Sequence, residues 1–377
     1  MEPGGLADAH FVTPLQEEVY NSTFASINAT EPADSSEFER YVRIIVPSIF
    51  GFICVLGVFG NLLVIIVVLK DKHMRNTTNI LILSLAVADL LFLLFCVPFT
   101  ATGYALTVLP FGAVVCKVTT YLMYVCAYAS VYTLAIMSLD RYLAVAHAIR
   151  SMTWRSERNT WLAVAIIWFI TLCGNIPIIL QWDVHYYKWG EKENRSACIQ
   201  FSELTDPTSG KTFFGCFLLF GYIIPLGVTM LLYGLMLKRL LYGVVPGGGN
   251  QSAESMRAKK RVTRMVIIVV VIFAICWLPI QIILFWQKLG FYPQTITNVS
   301  IMMAANCLAY MNSCVNPILY AFLSGNFRRS FRKFLCCSET PRRLEYERTN
   351  IRSNVNDKES NVTKSTCVNN SKTYTAV

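Results

Sequence analysis

Seven stretches of this chain, residues 43–70, 77–101, 113–143, 160–181, 212–240, 262–287 and 296–323, stay apolar for long enough to cross a lipid bilayer. The hydrocarbon core is about 30 Å thick and a helix rises about 1.5 Å per residue, so roughly 20 apolar residues suffice. Lipid offers backbone N–H and C=O groups no partner, which leaves only helices and closed barrels as spanning structures. Stretches this long predict helices, so the fold class is an all-α membrane protein built as a seven-transmembrane helix bundle. Only 15% of the 377 residues are charged and 54% are hydrophobic, against about 25% charged in an ordinary soluble chain. The third stretch is the most polar, with Lys117, Tyr121, Tyr128, Ser130 and Ser138, and is expected to be buried among its neighbours rather than to face lipid.

The net charge of +10 would suggest a nucleic-acid partner in a soluble chain. Its distribution points instead to a membrane and to no nucleic acid. Lys70, Lys72 and Arg75, then Arg150, Arg155 and Arg158, then Lys238, Arg239, Arg257, Lys259, Lys260, Arg261 and Arg264 occupy one set of loops. The opposite set is acidic or mixed, with Glu17, Glu18, Glu31, Asp34, Glu37 and Glu39 before the first stretch and Asp183, Glu191 and Glu193 after the fourth. Lysine and arginine concentrate on the cytoplasmic side, so the N-terminus is expected outside and the C-terminal tail in the cytoplasm of a multi-pass plasma-membrane protein. Asn21, Asn28 and Asn194 open N-x-S/T triplets on the outer side, where glycans are added. The N-terminus shows no cleavable signal-peptide pattern, so the first stretch is expected to act as its own insertion signal.

Four parts follow: a glycosylated extracellular N-terminus (1–42), the bundle (43–323), a short amphipathic eighth helix with a palmitoylation site (324–337), and a disordered cytoplasmic tail (338–377). Phe327, Phe331, Phe334 and Leu335 recur at helical spacing with arginines between them, as in a helix lying in the membrane interface. Cys336 and Cys337 follow at once and suit palmitoylation. Thr375-Ala376-Val377 has the form of a PDZ ligand, a hydroxyl two residues before an apolar carboxyl end.

A carboxylate at the bilayer centre costs at least about 2.5–3.5 kcal/mol, so one that sits there demands a reason. Asp89 lies in the middle of the second stretch, with Asn61, Ser130, Asn312, Ser313 and Asn316 as oxygen-bearing candidates around it. Such a set suits a hard monovalent cation. Asp140-Arg141-Tyr142 closes the third stretch on the inner side. Asp140 is able to hold the Arg141 guanidinium until a cytoplasmic partner claims it. Pro98, Pro177, Pro225, Pro279 and Pro317 interrupt apolar stretches and predict kinks or hinges. Of the 13 cysteines, eight sit within apolar stretches and behave as small hydrophobes. Cys116 and Cys198 lie near stretch ends that face an oxidising space. With four histidines and no nucleophile constellation, nothing reads as an enzyme.

Gly60-Asn61, Leu85-Ala86-Val87-Ala88-Asp89, Asp140-Arg141-Tyr142, Trp168, Pro225 with Tyr233, Cys276-Trp277-Leu278-Pro279 and Asn316-Pro317-Ile318-Leu319-Tyr320 occur in this order along residues 43–337. The ordered set resembles the rhodopsin-like G-protein-coupled receptors. The resemblance implies a disulfide between Cys116 and Cys198 and a sodium ion as allosteric modulator at Asp89, Ser130, Asn312, Ser313 and Asn316. It implies an activation toggle of Phe273, Trp277 and Pro279. It also implies a G-protein switch of Asp140, Arg141, Tyr142, Tyr233, Thr263 and Tyr320. Heterotrimeric G protein, more often Gi/Go, arrestin and a receptor kinase are the implied partners, with no other cofactor or metal. Lys259 stands where many relatives carry an acid able to lock Arg141, and Thr263 offers a hydrogen bond there instead. Ala148 replaces a frequent proline of the second inner loop.

Met123 occupies the third-helix position that is acidic in amine, opioid and somatostatin receptors. Phe99-Thr100-Ala101-Thr102-Gly103-Tyr104, Tyr132-Thr133-Leu134 and the stretch from Ala309 to Pro317 are similar to the allatostatin-A receptors of invertebrates, in the galanin/allatostatin branch. Galanin receptors usually carry histidine where this chain has Gln281. The resemblance implies an amidated neuropeptide ending in Phe-Gly-Leu-amide, read in an apolar pocket by Met123, Gln281 and Phe285 with no arginine counter-ion. Galanin-like or somatostatin-like peptides are the alternative ligands. A seven-span transporter or channel is the alternative from another class, but it predicts repeats, broken helix pairs or a charged path, and none is visible.

Overall fold

The computed structural model describes residues 32–71, 74–147, 150–189, 193–200, 206–242, 253–293 and 295–335. The second palmitoylation candidate, the first one beside it, Asn21, Asn28, and the PDZ-like end lie outside these residues. Seven long helical spans are present. Six are long and apolar enough to cross a membrane on length and composition. The seventh, Ile296–Leu323, is 28 residues long but carries Asn298, Asn306, Asn312 and Asn316, which dilute its apolar character. The chain is a multi-pass membrane protein of the expected seven-span class. Phe52, Val55, Phe169, Leu180 and Met230 are all more than two-thirds exposed, a surface that water would not tolerate and lipid requires.

The first span, Pro32–Lys70, begins well before residue 43. Residues 32–42, expected as the end of the N-terminal segment before the bundle, are helical, and i, i+4 bonds from Tyr41 to Glu37 and from Arg43 to Glu39, at 3.2 and 2.8 Å, support that helix. The second span runs Thr77–Leu91, opens into a π turn at Phe92–Cys96, and continues as Val97–Ala105. The fifth does the same, with Pro207–Leu218, a π turn at Leu219–Ile223, and Ile224–Tyr242. Each wide turn comes just before a proline, Pro98 or Pro225, whose missing N–H would leave a carbonyl one turn back unpaired; the wider turn absorbs the fault. At Pro177 the fourth span breaks at Asn175 between Glu157–Gly174 and Ile176–Gln181. Pro279 and Pro317 stay inside unbroken helices, the sixth span Ala253–Leu289 and the seventh. Gly290 ends the sixth span at φ +80°, a left-handed C-cap that glycine adopts without penalty.

The third span, Ala113–Ala146, is central as expected. The second is more central still, with 72% of its most apolar stretch buried against 61% for the third and 22% for the fifth. The main core joins Phe50 of the first span, Phe92 and Leu93 of the second, Ile280 of the sixth, and Tyr310 and Cys314 of the seventh. Gly60 allows the first and seventh spans to meet, since a Cβ there would stand 2.9 Å from the Pro317 Cβ.

One element was not expected. Between the fourth and fifth spans, β1 (Trp182–Trp189) and β2 (Glu193–Gln200) form an antiparallel hairpin. This link between the fourth and fifth spans is therefore a two-stranded sheet set against a helical bundle. Its alternating aromatic and polar residues, Trp182, Val184, Tyr186 against Asp183, His185, Tyr187, carry the period-two pattern of a strand.

After the seventh span, Gly325–Leu335 forms the expected short helix. Phe327 stacks on Tyr320 with centroids 5.5 Å apart. Residues 328–335 belong to a second unit, and these described residues are helical and include Arg328, Arg329, Arg332 and Lys333.

Candidate functional site

Two regions gather the chemistry-bearing side chains, a cavity beneath the hairpin and a charged cluster at the far end of the third span.

The hairpin is pinned at several points. Cys116 of the third span and Cys198 of β2 form a disulfide with Cα atoms 5.7 Å apart. Lys117 pairs with Asp183 at 3.0 Å. The Ser196 N–H donates to the Thr107 carbonyl at 3.1 Å, and the Leu109 N–H to the Ser196 hydroxyl at 2.8 Å. Asn194 is exposed on β2, open to a glycan. Beneath lies a cavity of about 760 Å³, walled by the first, second, third and seventh spans and the hairpin. Its described wall includes Met123, as expected, with Tyr104, Tyr124, Trp182 and Tyr310.

Gln281 and Phe285 are not in that wall. Neighbouring Ile280 and Ile283 pack into the main core, which turns this part of the sixth span toward protein; Gln281 is buried, and Phe285 lies against Gly215 of the fifth span. A ligand with a neutral end needs no arginine counter-ion, and the wall arginines have an acid of their own. Arg43 and Arg195 both line the cavity, and both bond to Glu39, at 2.8 and 2.9 Å. The i, i+4 spacing of Glu39 and Arg43 was visible in the sequence; the link to Arg195, 156 positions away, left no local signal.

Asp89 is buried, and so are the residues expected around it, Asn61, Ser130, Asn312, Ser313 and Asn316. Asn316 Nδ2 donates to Asp89 Oδ2 at 2.9 Å. Asn61 Nδ2 donates to the carbonyls of Gly57 and Ser313, each at 2.9 Å, tying the first span to the seventh. Its Oδ1 is buried without a protein partner. Among the described residues no group of three or more His, Cys, Asp or Glu assembles. One carboxylate among neutral oxygens and amides fits a hard monovalent ion better than a transition metal.

At the opposite end Asp140 and Arg141 are both buried. Arg141 donates to Asp140 and to the Thr78 hydroxyl. Arg155, read from sequence only as a topology charge, donates to the other carboxylate oxygen at 2.8 Å. Thr78 lies 3.4 Å from Asp140 on the second span, whose N-terminus is capped by Asn76. Two cations therefore share one carboxylate, and the Arg141 guanidinium is held away from solvent. Thr263 is buried on the sixth span, but among the described residues it makes no hydrogen bond to Arg141, whose Nε and Nη2 donate to Asp140 and Thr78. Tyr142 turns toward the second inner loop, with its ring 5.8 Å from that of His147. Ser138 donates to the Tyr233 hydroxyl at 3.3 Å. The Tyr320 hydroxyl and the Trp277 indole N–H are buried without protein partners, and the Phe273 and Trp277 rings lie 5.9 Å apart.

The description "7 transmembrane receptor (rhodopsin family)" matches residues 60–320. The chain is 47% identical over 331 residues to an Allatostatin-A receptor of Bombyx mori, covering 88% of this chain and 90% of that one. It is 41% identical over 325 residues to a galanin-like G-protein coupled receptor of Caenorhabditis elegans, covering 79% and 74%. It is 39% identical over 301 residues to galanin receptor type 1 of Homo sapiens, covering 79% and 83%.

Proposed function

The chain belongs to the rhodopsin family of seven-transmembrane receptors and is a receptor rather than an enzyme; from that premise we propose that its ligand is an amidated neuropeptide ending in Phe-Gly-Leu-amide and its effector a heterotrimeric G protein of the Gi/Go class. The observation that carries the reading is the pairing of an outer cavity of about 760 Å³, within the range of about 300–1,000 Å³ that suits small ligands, with an arginine clamped at the inner end. The similarity to an Allatostatin-A receptor over nearly the full length of both proteins supports the ligand class.

The mechanism is a two-state equilibrium. In the held state Arg141 donates to Asp140 and Thr78, so those donors are withheld from a cytoplasmic partner. In the active state the sixth span moves outward, Arg141 leaves Asp140, and Tyr233 and Tyr320 fill in around it. Agonist acts only through its greater affinity for the second state, so agonist and G protein raise each other's affinity by one factor. A sodium ion held by Asp89, Ser130, Asn312, Ser313 and Asn316 would favour the held state by adding a bond that exists only there.

The orientation places the hairpin and Asn194 outside, with Arg155 and Arg264 in the cytoplasm. Glycans at Asn21, Asn28 and Asn194, palmitates at Cys336 and Cys337, a PDZ partner at Thr375–Val377, and arrestin and a receptor kinase complete the proposal.

A peptide panel on transfected cells, read through cAMP and calcium, tests it. Phe-Gly-Leu-amide peptides are expected to lower stimulated cAMP. A response to galanin or somatostatin in their place would overturn the ligand assignment, and a calcium response insensitive to Gi/Go blockade would overturn the coupling.

A further inference from the structure

The sixth span carries Pro279 inside an unbroken helix, so a swing of its inner half pivots near that residue. Ala274 lies on the inner side of this pivot, between Phe273 and Trp277, the two rings of the expected toggle. Its carbonyl accepts a hydrogen bond from the Tyr222 hydroxyl of the fifth span at 2.7 Å. Tyr222 is buried. It lies within a spanning helix, where lipid offers no substitute for a broken bond.

The local geometry of the fifth span aims this phenol. Tyr222 falls in the π turn Leu219–Ile223, just before Pro225. A π turn holds one residue more than an α turn, and one residue is about 100° of helix rotation, so the turn sets which neighbour Tyr222 faces. The Ile224 N–H goes to the Leu219 carbonyl, and Pro225 has no N–H to offer the carbonyl of Phe220. The Tyr132 hydroxyl of the third span donates to that carbonyl at 3.0 Å. Two phenol-to-carbonyl links thus run from the third span to the fifth and from the fifth to the sixth. Tyr222 sits on the outer side of Pro225 and Ala274 on the inner side of Pro279, so donor and acceptor part company when the inner half of the sixth span moves. At about 1.5 Å of rise per residue the Ala274 carbonyl stands about 7.5 Å from the pivot, and a swing of about 6° displaces it by about 0.8 Å. A 2.7 Å bond stretched that far leaves hydrogen-bonding range.

We infer that Tyr222 is a positioning residue of the switch: its hydroxyl holds the inner half of the sixth span in the state in which Asp140 and Thr78 hold Arg141, and the bond is released when that half moves outward. The inference deepens the two-state reading above and rests on it. Both restraints occur together in this structure. The Arg141 clamp acts at the inner end, and the Tyr222 bond acts beside Phe273 and Trp277, nearer the ligand cavity. Loss of the phenol leaves no orphan, because the Leu278 N–H is the ordinary helical partner of the Ala274 carbonyl. Tyr222→Phe therefore removes one bond between spans and keeps the ring that packs there.

The test compares full-length wild-type, Tyr222→Phe and Tyr132→Phe receptors in lipid nanodiscs, at equal amounts of folded receptor. Basal nucleotide exchange is measured on Gi and on Gq side by side. Agonist affinity without G protein is measured with the peptide that the panel above identifies as agonist. Tyr222→Phe is expected to raise basal exchange by about three- to tenfold, the range of one hydrogen bond between helices in a membrane. Agonist affinity should rise with it, since one shift of the two-state equilibrium moves both; a merely structural role would move neither. Tyr132→Phe breaks the link between the third and fifth spans alone and should leave both quantities at wild-type values. Wild-type or reduced basal exchange in Tyr222→Phe, a rise in exchange without a rise in affinity, or an equal rise in Tyr132→Phe would overturn the inference. If exchange occurs on Gq in place of Gi, or if a galanin or somatostatin peptide is the agonist, those assignments fail alone, and the ratio of Tyr222→Phe to wild type still decides the role of Tyr222.

Discussion

Replacing Asp140 by asparagine removes the charge that two arginines share while keeping the shape of the side chain. In the structure Asp140 accepts from Arg141 and Arg155, with Thr78 beside it. Only the bond to Arg141 must break for the switch to operate. A hydrogen bond to a charged group contributes about 1.5–3 kcal/mol, and each 1.4 kcal/mol is a tenfold change in an equilibrium. The active fraction of the Asp140→Asn receptor should therefore rise by about tenfold or more in the absence of peptide. The assay is basal inhibition of cAMP, normalised to receptor at the cell surface, since a buried arginine left without its carboxylate also weakens the fold. Arg155→Gln gives the opposite sign. It removes the competing cation and leaves Asp140 to Arg141 alone, so basal activity should fall and the agonist EC50 should rise. Arg155 is partly exposed, which limits that change to about 0.5–1 kcal/mol, or a few-fold. Equal basal activity in wild type and Asp140→Asn, or a rise in both variants, would refute the clamp.

Three other perturbations follow from named contacts. Cys198→Ser should cost about 2–5 kcal/mol of stability and abolish peptide binding, because it frees β2 from the third span; intact binding in a receptor shown to lack the disulfide would contradict this. Glu39→Arg combined with Arg195→Glu should recover binding lost in either single variant, with a coupling of about 0.5–1 kcal/mol for these partly exposed groups; strictly additive losses would show that the pair does not hold the hairpin. Gly60→Ala sets a Cβ 2.9 Å from Pro317 and should destabilise the bundle by about 1–3 kcal/mol, seen as a lower melting temperature of the solubilised receptor; an unchanged melting temperature would mean that the two spans are not in close contact.

The span pattern was legible because lipid imposes one length and one chemistry on every crossing. Asp89 and Arg141 were legible for the same reason, since a charge among apolar neighbours stands out. The polar seventh span still emerged as a helix, although its asparagines weaken the apolar signal that marks the other six. The outer hairpin was harder. Its register has Val184 opposite Cys198, and the short Gly190-Glu191-Lys192 link that permits it is hidden by the charged residues around it, which read as loop. The link of Arg155 to Asp140 was hidden because Arg155 also fits the loop-charge pattern, and that of Arg195 to Glu39 because 156 positions separate the two. Gln281 misled because its sequence neighbours match a family pattern while its helix face, fixed by Ile280 and Ile283, points into the core.

The central claim is that the cavity and the Arg141 clamp belong to one two-state element. Agonist affinity measured on the purified receptor in lipid nanodiscs, with and without nucleotide-free Gi heterotrimer, tests it most directly. The account predicts that G protein tightens binding of the Phe-Gly-Leu-amide peptide by about tenfold or more, and that Asp140→Asn reproduces part of that gain without G protein. An agonist affinity that neither G protein nor Asp140→Asn alters would contradict it.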